Sequence, residues 1–308
     1  MSRGSFQVNL FPYNLRSKCG SERYFLVKSR SIDFGWRRRL LTDEAMANSD
    51  LSGLIAILGY VAVAAGIVLY QAFTSGCGWR AWVLHKADRF YIGLMWRPRM
   101  NRRCPFPEDG PVLFIVNHRS TVDPAIAWYP HHLVGTKRRV RTPGYLATQM
   151  FCDMPGIVGW TIAAQESIPV DDQAGHNPHA IHTALRRLRD GKMVGIFPEG
   201  RINRGPGILP GNPGVAYLAI RARVPVFPIY LENVPVSESY LRPFFMPRRV
   251  RITFGDAIDL SEYEGRLKDS AALQEATGKM MQALADLGGV EVQPRVESVS
   301  APPTPVLD

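Results

Sequence analysis

The sequence predicts an α/β protein whose mostly parallel β-sheet is covered by helices and preceded by a membrane-inserted helix and an interfacial amphipathic helix. Three observations support this fold class. After residue 103 short apolar runs alternate with helical stretches, residues 51–73 carry no charge, and residues 79–96 have one apolar and one polar face. Strands buried on both faces of a sheet are continuously apolar, and helices between such strands are typical of parallel sheets.

The composition is that of a folded protein. Hydrophobic residues make up 46% and charged residues 21% of the 308 residues, which excludes a disordered chain, a collagen-like repeat and a polytopic membrane bundle. The cysteines lie far apart, which argues against a zinc ribbon or a disulfide framework and favours a reducing compartment. They are Cys19, Cys77, Cys104 and Cys152.

Positive charge is concentrated beside an uncharged segment. The net charge is +10, residues 51–79 contain no Asp, Glu, Lys or Arg, and residues 80–141 contain 12 basic and four acidic residues. This pattern is typical of a protein held against an anionic membrane surface. Basic segments also bind nucleic acids, so the charge alone leaves the partner open.

The uncharged residues 51–73 are predicted to form a membrane-inserted helix. These 23 residues, rising about 1.5 Å each, exceed the roughly 30 Å hydrocarbon core. A cleaved signal peptide fits poorly because the run is long and some 50 residues precede it, and a buried core helix is the other alternative. Seven Lys and Arg follow within 30 residues, against three nearby before it. The C-terminal side is therefore expected to be cytoplasmic, although a re-entrant helix would leave the same pattern.

Residues 79–96 are predicted to form an amphipathic helix in the lipid headgroup layer. Tryptophan stands at both ends, and His85, Lys86, Asp88 and Arg89 form the polar face, an arrangement typical of interfacial helices. The alternative is an ordinary surface helix of the following domain. The apolar arc consists of Val83, Leu84, Ala87, Phe90, Tyr91, Leu94 and Met95.

These patterns divide the chain into four segments. They are an N-terminal extension of unknown role (1–50), membrane-associated helices (51–98), an α/β domain (99–289) and a disordered tail (290–308). Within the α/β domain, apolar runs predict strands at 112–116, 193–197, 226–230 and 250–254, and helical stretches lie at 180–189, 215–223 and 270–287.

Two polar segments each follow a predicted strand, where sites in α/β sheets usually lie. In residues 117–124, His118 and Asp123 are five positions apart, so on one continuous helix they would point about 140° apart. The Asp123-Pro124 pair starts a new helix, so the intervening loop can bring the carboxylate to the imidazole and fix its tautomer. The alternative is that His118 makes only a loop hydrogen bond and Asp123 only caps a helix.

The second polar segment, residues 197–204, places Glu199, Gly200, Arg201 and Arg204 directly after a strand. Arginine side chains suit bidentate capture of phosphate, and glycine permits close backbone approach. The alternative is a solvated turn with surface charges.

Together these segments resemble the glycerolipid acyltransferase family, typified by 1-acylglycerol-3-phosphate acyltransferases. Residues 117–123 resemble its NHxSxxD block with the HxxxxD motif, residues 197–201 its FPEG block, and residues 224–229 its last, hydrophobic block. The resemblance implies the glycerolipid acyltransferase fold, with His118 as the general base on the acceptor hydroxyl and Asp123 as its orienting partner. For acceptor binding it implies Glu199, Gly200 and Arg201, with Arg204 as a further candidate.

The resemblance implies a membrane-bound O-acyltransferase of phospholipid biosynthesis. Its acyl donor is acyl-CoA or acyl carrier protein, and its acceptor is the free hydroxyl of a lysophospholipid, foremost 1-acylglycerol-3-phosphate, which gives phosphatidic acid. One positioned base can join a hydroxyl to an activated thioester without a metal, a cofactor or a covalent intermediate, provided that the oxyanion is stabilised. The expected partners are membrane lipids, the acceptor and the donor, and the catalytic domain is expected on the cytoplasmic face.

Two departures from the family pattern leave the acceptor open. Asp171 and Asp172 stand where the family carries an arginine for the acceptor phosphate, and Thr148 stands where a lysine is assigned to the oxyanion. An acceptor such as lysophosphatidylethanolamine or an amino-acid lipid is therefore one alternative. A non-catalytic, membrane-anchored protein that binds anionic lipid or nucleic acid is another.

Other site classes lack their motifs. The sequence has no GxSxG, P-loop or GxGxxG pattern. The basic residues 137–141 have no interleaved aromatic residues to stack bases, so nucleic acid is not an expected partner. The histidine groups lack matching carboxylate or cysteine ligands, so no metal site is expected. These histidines are His131, His132, His176, His179 and His182.

Overall fold

The computed structural model describes residues 34–130, 140–171 and 177–294, with side chains from residue 50 onward. The chain divides after Val63 into two units, and the α/β domain lies in the second, which begins at Ala64. The helices are α1 (Phe34–Thr74), α2 (Trp79–Met95), α3 (Asp123–Trp128), α4 (Gln149–Cys152), α5 (Ile157–Ala164), α6 (Pro178–Arg189), α7 (Pro213–Ala222) and α8 (Ser270–Gly288). The strands are β1 (Arg99–Met100), β2 (Val112–Val116), β3 (Leu146–Thr148), β4 (Ile168–Val170), β5 (Met193–Ile196), β6 (Val226–Glu232) and β7 (Arg251–Phe254).

The main sheet has the strand order β1-β7-β6-β2-β5. Its pairs are parallel except β6 with β7, which is antiparallel. A second, parallel pair, β3 with β4, adjoins β5 through a parallel bridge between Tyr145 and Gly195. The predicted mostly parallel sheet is confirmed. Because β2, β3, β4, β5 and β6 run in one direction, their C-terminal ends share one edge, called the carboxyl edge below.

The central strand β2 is buried on both faces, which explains its continuous apolar sequence. Successive side chains of a strand point to opposite faces. Leu113 and Ile115 pack on one face with residues of α6, α7 and α8, whereas Phe114 and Val116 pack on the other with residues of α2 and α3. Helices therefore cover both faces of the sheet, as predicted.

Helix α1 extends further toward the N-terminus than predicted. It begins at Phe34, within the segment assigned to the extension, because residues 34–50 contain no proline or glycine after Gly35 and many good helix formers. Within the described residues, the stretch Asp50–Thr74 is long and apolar enough to cross a membrane, with a mean hydropathy of 2.3. Residues 1–33 of the predicted extension lie outside the described residues.

The predicted disordered tail begins too early. Val292 forms a parallel bridge with Ile208, and the Gln293 N–H donates to the Ile208 carbonyl at 2.8 Å. This pairing is between residues more than 80 positions apart, which the local composition does not reveal. The rest of the predicted tail, from residue 295, lies outside the described residues.

Helix α2 matches its predicted extent to within one residue, but its polar face is divided. His85 and the Asp88 carboxylate turn toward the domain, in line with Ile92 and Trp96. Of the four residues predicted to form the polar face, His85 and Asp88 thus turn inward, whereas Lys86 and Arg89 are exposed. The outer face carries the apolar Val83, Ala87, Phe90 and Leu94, all exposed, at the i, i+4, i+7, i+11 spacing of one helix face.

Candidate active site

His118 and Asp123 meet at the carboxyl edge of the sheet. Strand β2 ends at Val116, and the Asn117 side chain extends the sheet by bonding both the N–H and the carbonyl of Leu231. His118 then leaves the sheet, and α3 opens at Asp123. The His118 Nδ1 lies 3.0 Å from the Asp123 Oδ2, with the histidine side chain 18% exposed and the aspartate fully buried.

Asp123 organises the loop that carries the histidine. Its Oδ2 accepts hydrogen bonds from the backbone N–H groups of Arg119 at 2.6 Å and Ser120 at 2.7 Å as well as from the imidazole. Val122 occupies the N-cap position of α3 and Asp123 the first helical turn, so the carboxylate holds the preceding loop instead of capping its own helix.

The carboxylate determines which nitrogen of His118 is basic. A carboxylate on Nδ1 holds a proton there and leaves the Nε2 lone pair free to accept one. The imidazole also stacks on the Phe197 ring, with centroids 4.2 Å apart, and Phe197 stacks on Tyr145. The ring is thus held in one plane by aromatic contacts and in one rotation by Asp123.

Glu199 braces the histidine from the second polar segment. Its Oε1 accepts from the His118 backbone N–H at 2.7 Å, and its Oε2 accepts from the Leu209 N–H at 3.0 Å. The side chain is buried, and burial raises the pKa of this carboxyl, while the two backbone donors and the nearby His118 lower it. Both oxygens are engaged within the protein, so the acceptor contact implied by the resemblance stays a prediction, and bracing is the function that the geometry shows.

Asn203 is a site residue that the sequence analysis missed. Its backbone N–H donates to the His118 carbonyl at 2.7 Å, its Nδ2 donates to the Gly207 carbonyl, and its Oδ1 accepts from the Gly205 N–H. The Arg119 guanidinium donates to the Gly205 carbonyl as well. An asparagine within a run rich in glycine and proline is typical of a side chain that closes a turn, and that signal marks Asn203 in the sequence.

The remaining predicted residues form the exposed rim of the site. Gly200 has a φ of +71°, and a Cβ placed there would meet nothing within 4 Å. The backbone conformation at this position therefore requires glycine, and the predicted close approach to the acceptor stays a prediction. Arg201 is exposed, and the exposed Arg204 donates from Nη2 to the Glu238 carbonyl at 3.3 Å. Both arginines come within five positions after Glu199, the residue that braces His118.

Comparison with known proteins identifies this arrangement. A family model described as Acyltransferase matches residues 97–232, which contain His118, Asp123 and Glu199. Residues 97–232 thus form an acyltransferase domain that is similar to those of the glycerolipid acyltransferase family. The domain is referred to below as the acyltransferase domain.

Curated relatives match over short stretches. The chain is similar to the human 1-acyl-sn-glycerol-3-phosphate acyltransferase beta, with 32% identity over 76 residues, 25% of this chain and 27% of the human protein. It is also similar to the N-acylphosphatidylethanolamine synthase of Arabidopsis thaliana, with 26% identity over 96 residues, 31% of this chain and 34% of the plant protein. The matched stretches thus span about a third or less of these relatives.

A solved structure shows the same fold. The crystal structure of the 1-acyl-sn-glycerophosphate acyltransferase from Thermotoga maritima superposes with a TM-score of 0.51 at 18% identity, covering 73% of this chain and 88% of that one. At this identity the likeness concerns the fold, an α/β domain with a mostly parallel sheet.

The positions that depart from the family pattern lie at the carboxyl edge of the acyltransferase domain. Thr148 ends β3, and Asp171 follows β4 directly. The Asp171 backbone is held by Asn177 through two hydrogen bonds of 2.9 Å, and its side chain is exposed. Asp172 lies outside the described residues. An exposed carboxylate therefore stands on the same edge as His118.

The histidine and basic groups set aside in the sequence analysis lie largely outside the described residues. These are residues 131–132, 137–139 and His176, whereas His179 and His182 are exposed on α6. Among the residues that the structure describes, no three His, Cys, Asp or Glu side chains are grouped so that they would hold a metal ion.

Proposed function

We propose that this protein is a membrane-bound O-acyltransferase that moves a fatty acyl group from acyl-CoA or acyl carrier protein to the free hydroxyl of a lysophospholipid. The observation that supports it most is the 3.0 Å contact of His118 Nδ1 with Asp123 Oδ2, inside a domain that matches the acyltransferase family. The proposed first acceptor is 1-acylglycerol-3-phosphate, which gives phosphatidic acid.

The proposed reaction uses His118 as the base. Nε2 takes the proton of the acceptor hydroxyl while its oxygen forms a bond to the thioester carbonyl carbon. The tetrahedral intermediate then collapses, the C–S bond breaks, and the imidazolium returns the proton to the leaving thiolate. A positioned base of this kind contributes about 10²–10⁴-fold, and the buried Asp123 carboxylate stabilises the imidazolium that forms on the way.

The proposed acceptor contact is made by Arg201, with Arg204 beside it. Arg201 is exposed next to the braced histidine loop, and a guanidinium can hold a phosphate through two parallel hydrogen bonds. Arg204 already donates to the Glu238 carbonyl, so Arg201 is the better placed of the two.

A second candidate acceptor carries an amine, such as lysophosphatidylethanolamine or an amino-acid lipid. Two observations favour it. The exposed Asp171 carboxylate stands on the carboxyl edge with His118, where it can face a cation. The chain is also similar to a protein named N-acylphosphatidylethanolamine synthase.

The proposed location is the membrane, with the acyltransferase domain on the cytoplasmic side. Asp50–Thr74 is long and apolar enough to span a bilayer. Seven Lys and Arg follow it within 30 residues, and such positive flanks stay in the cytoplasm.

Acyl transfer by the purified protein in mixed micelles tests the proposal. Labelled acyl-CoA or acyl carrier protein is supplied with 1-acylglycerol-3-phosphate, lysophosphatidylethanolamine or an amino-acid lipid. His118→Ala is expected to lower kcat about 10²–10⁴-fold, whereas the control His182→Ala, an exposed histidine on α6, leaves it unchanged. Unchanged transfer by His118→Ala would contradict the mechanism, and wild-type protein that only binds lipid would support the non-catalytic alternative.

A further inference from the structure

Two exposed apolar surfaces lie next to each other at the C-terminal half of α2. On α2, Phe90 is 76% exposed and Leu94 is more than half exposed. On the loop between β6 and β7, Phe245 is 74% exposed and Leu241 is more than half exposed. Clusters of large apolar side chains are uncommon on water-facing protein surfaces, and they mark contacts with a membrane or a partner protein.

Hydrogen bonds join the two surfaces into one. The Trp96 Nε1 donates to the Met246 carbonyl at 3.0 Å, and the Arg248 N–H donates to the Met95 carbonyl at 3.2 Å. The Tyr91 hydroxyl donates to the Phe244 carbonyl. These contacts fix the loop against α2, so the exposed side chains on both elements form a single surface.

Four exposed arginines lie among these apolar side chains: Arg97 after α2, and Arg242, Arg248 and Arg249 in the loop. The exposed Glu238 is the acidic residue of this loop. We call the four arginines with Phe90, Leu94, Leu241 and Phe245 the basic–apolar patch.

The basic–apolar patch opens on the same edge of the sheet as His118. Because β7 is antiparallel to β6, with Glu232 opposite Arg251, the residues just before β7 lie at the carboxyl edge. Two contacts tie the β6–β7 loop to the site directly. The Thr121 hydroxyl donates to the Tyr240 carbonyl at 2.8 Å, and Arg204 donates to the Glu238 carbonyl.

We propose that the basic–apolar patch docks on an anionic phospholipid bilayer and so turns the active-site edge toward the membrane. Aromatic and aliphatic side chains enter the headgroup boundary while adjacent arginines contact lipid phosphates, and each arginine near an anionic surface strengthens the contact by about fivefold. The charge complementarity favours lipid over a neutral protein surface. The inference builds on the proposed function, since a docked edge lets a membrane lipid reach His118 without leaving the bilayer.

Photo-crosslinking of the full chain in bilayers tests the docking. The protein is reconstituted in vesicles of phosphatidylcholine with about 30% phosphatidylserine and a diazirine-bearing phosphatidylcholine, and labelled peptides are mapped by mass spectrometry. The proposal expects label on residues 241–249 and on Phe90 and Leu94. Label on α1 alone, with none on residues 241–249, would overturn it.

Two sets of variants make the test specific. Changing Arg242, Arg248 and Arg249 to Glu is expected to lower the label on residues 241–249 at least fivefold, and Phe245→Asp to lower it similarly. The matched control changes Arg189, Arg221 and Lys268 to Glu. These exposed residues lie near the ends of α6 and α7 and just before α8, at the opposite edge, so the control should leave the label unchanged. Equal loss in the control set would overturn the proposal, as would dimers that form without lipid and disappear in Phe245→Asp.

The outcome is separable from that of the proposed function. Crosslinking requires no turnover, so a protein that transfers no acyl group can still carry the label. Conversely, transfer in detergent by a protein without label on residues 241–249 would keep the proposed function and remove the docking surface.

Discussion

Replacing Glu199 by Gln tests whether this residue braces His118 or binds the acceptor. In the wild-type protein each carboxylate oxygen accepts one backbone N–H, from His118 at 2.7 Å and from Leu209 at 3.0 Å. A glutamine presents one oxygen and one NH₂ group, and the NH₂ group cannot accept. One buried backbone N–H is therefore left without an acceptor, which costs about 1–3 kcal/mol.

Two readouts follow from this cost. Thermal unfolding of the variant is expected at a temperature about 2–12 °C lower, because each kcal/mol corresponds to about 2–4 °C in a domain of this size. Without this hydrogen bond the His118 backbone can shift by roughly 1 Å, and a base misplaced by that distance lowers kcat about 100-fold. The KM for the acceptor should stay within about twofold of the wild-type value, because the change removes no contact with the acceptor.

The assay compares Glu199→Gln with Glu238→Gln, whose exposed side chain lies in the neighbouring loop. Unfolding temperature, kcat and acceptor KM are measured for both variants and the wild type. If Glu199→Gln keeps its unfolding temperature and kcat but raises the acceptor KM about tenfold, bracing is refuted and Glu199 belongs to acceptor binding.

Two further changes probe the buried carboxylates. Asp123→Asn is expected to lower kcat about tenfold or more at nearly unchanged KM. The backbone N–H groups of Arg119 and Ser120 keep the amide oxygen at the Oδ2 position, where it still orients His118 but carries no charge to stabilise the imidazolium; an unchanged kcat would contradict the assignment. Burial raises the pKa of Asp88 to about 8, so between about pH 4 and 8 only the folded state keeps this proton, and stability falls as pH rises through that window. At pH 9, Asp88→Asn should therefore unfold at a higher temperature than the wild type, and its unfolding temperature should change less between pH 5 and 9. Parallel curves for the two proteins would disprove the raised pKa of Asp88.

The parts of the fold that could be predicted from the sequence are strands in which successive residues are all buried. Strands β2 and β5 are buried throughout and β6 is buried over most of its length, so their apolar runs were found to within two residues. Strands β1, β3 and β4 are only two or three residues long, and no periodicity can be read from so short a segment.

The candidate site was predictable to the same degree. The proximity of His118 and Asp123 follows from a local break at Asp123-Pro124, which the sequence shows directly. The brace by Glu199 joins residues 81 positions apart, and the carboxylate would look the same in the sequence if it faced the acceptor.

The sequence by itself determined the longer strands and helices and the apolar segment, and it predicted the mostly parallel sheet and the contact of His118 with Asp123, because these follow from patterns within short stretches of the chain. Only the tertiary structure decided which side of α2 faces the protein, that Glu199 and Asn203 hold the histidine loop, and that the β6–β7 loop shares an edge with the site. A helical periodicity gives two faces but does not say which one packs inward when both a protein core and a lipid layer accept apolar side chains. Contacts between distant segments depend on where the strands place their ends, and that is a property of the assembled sheet.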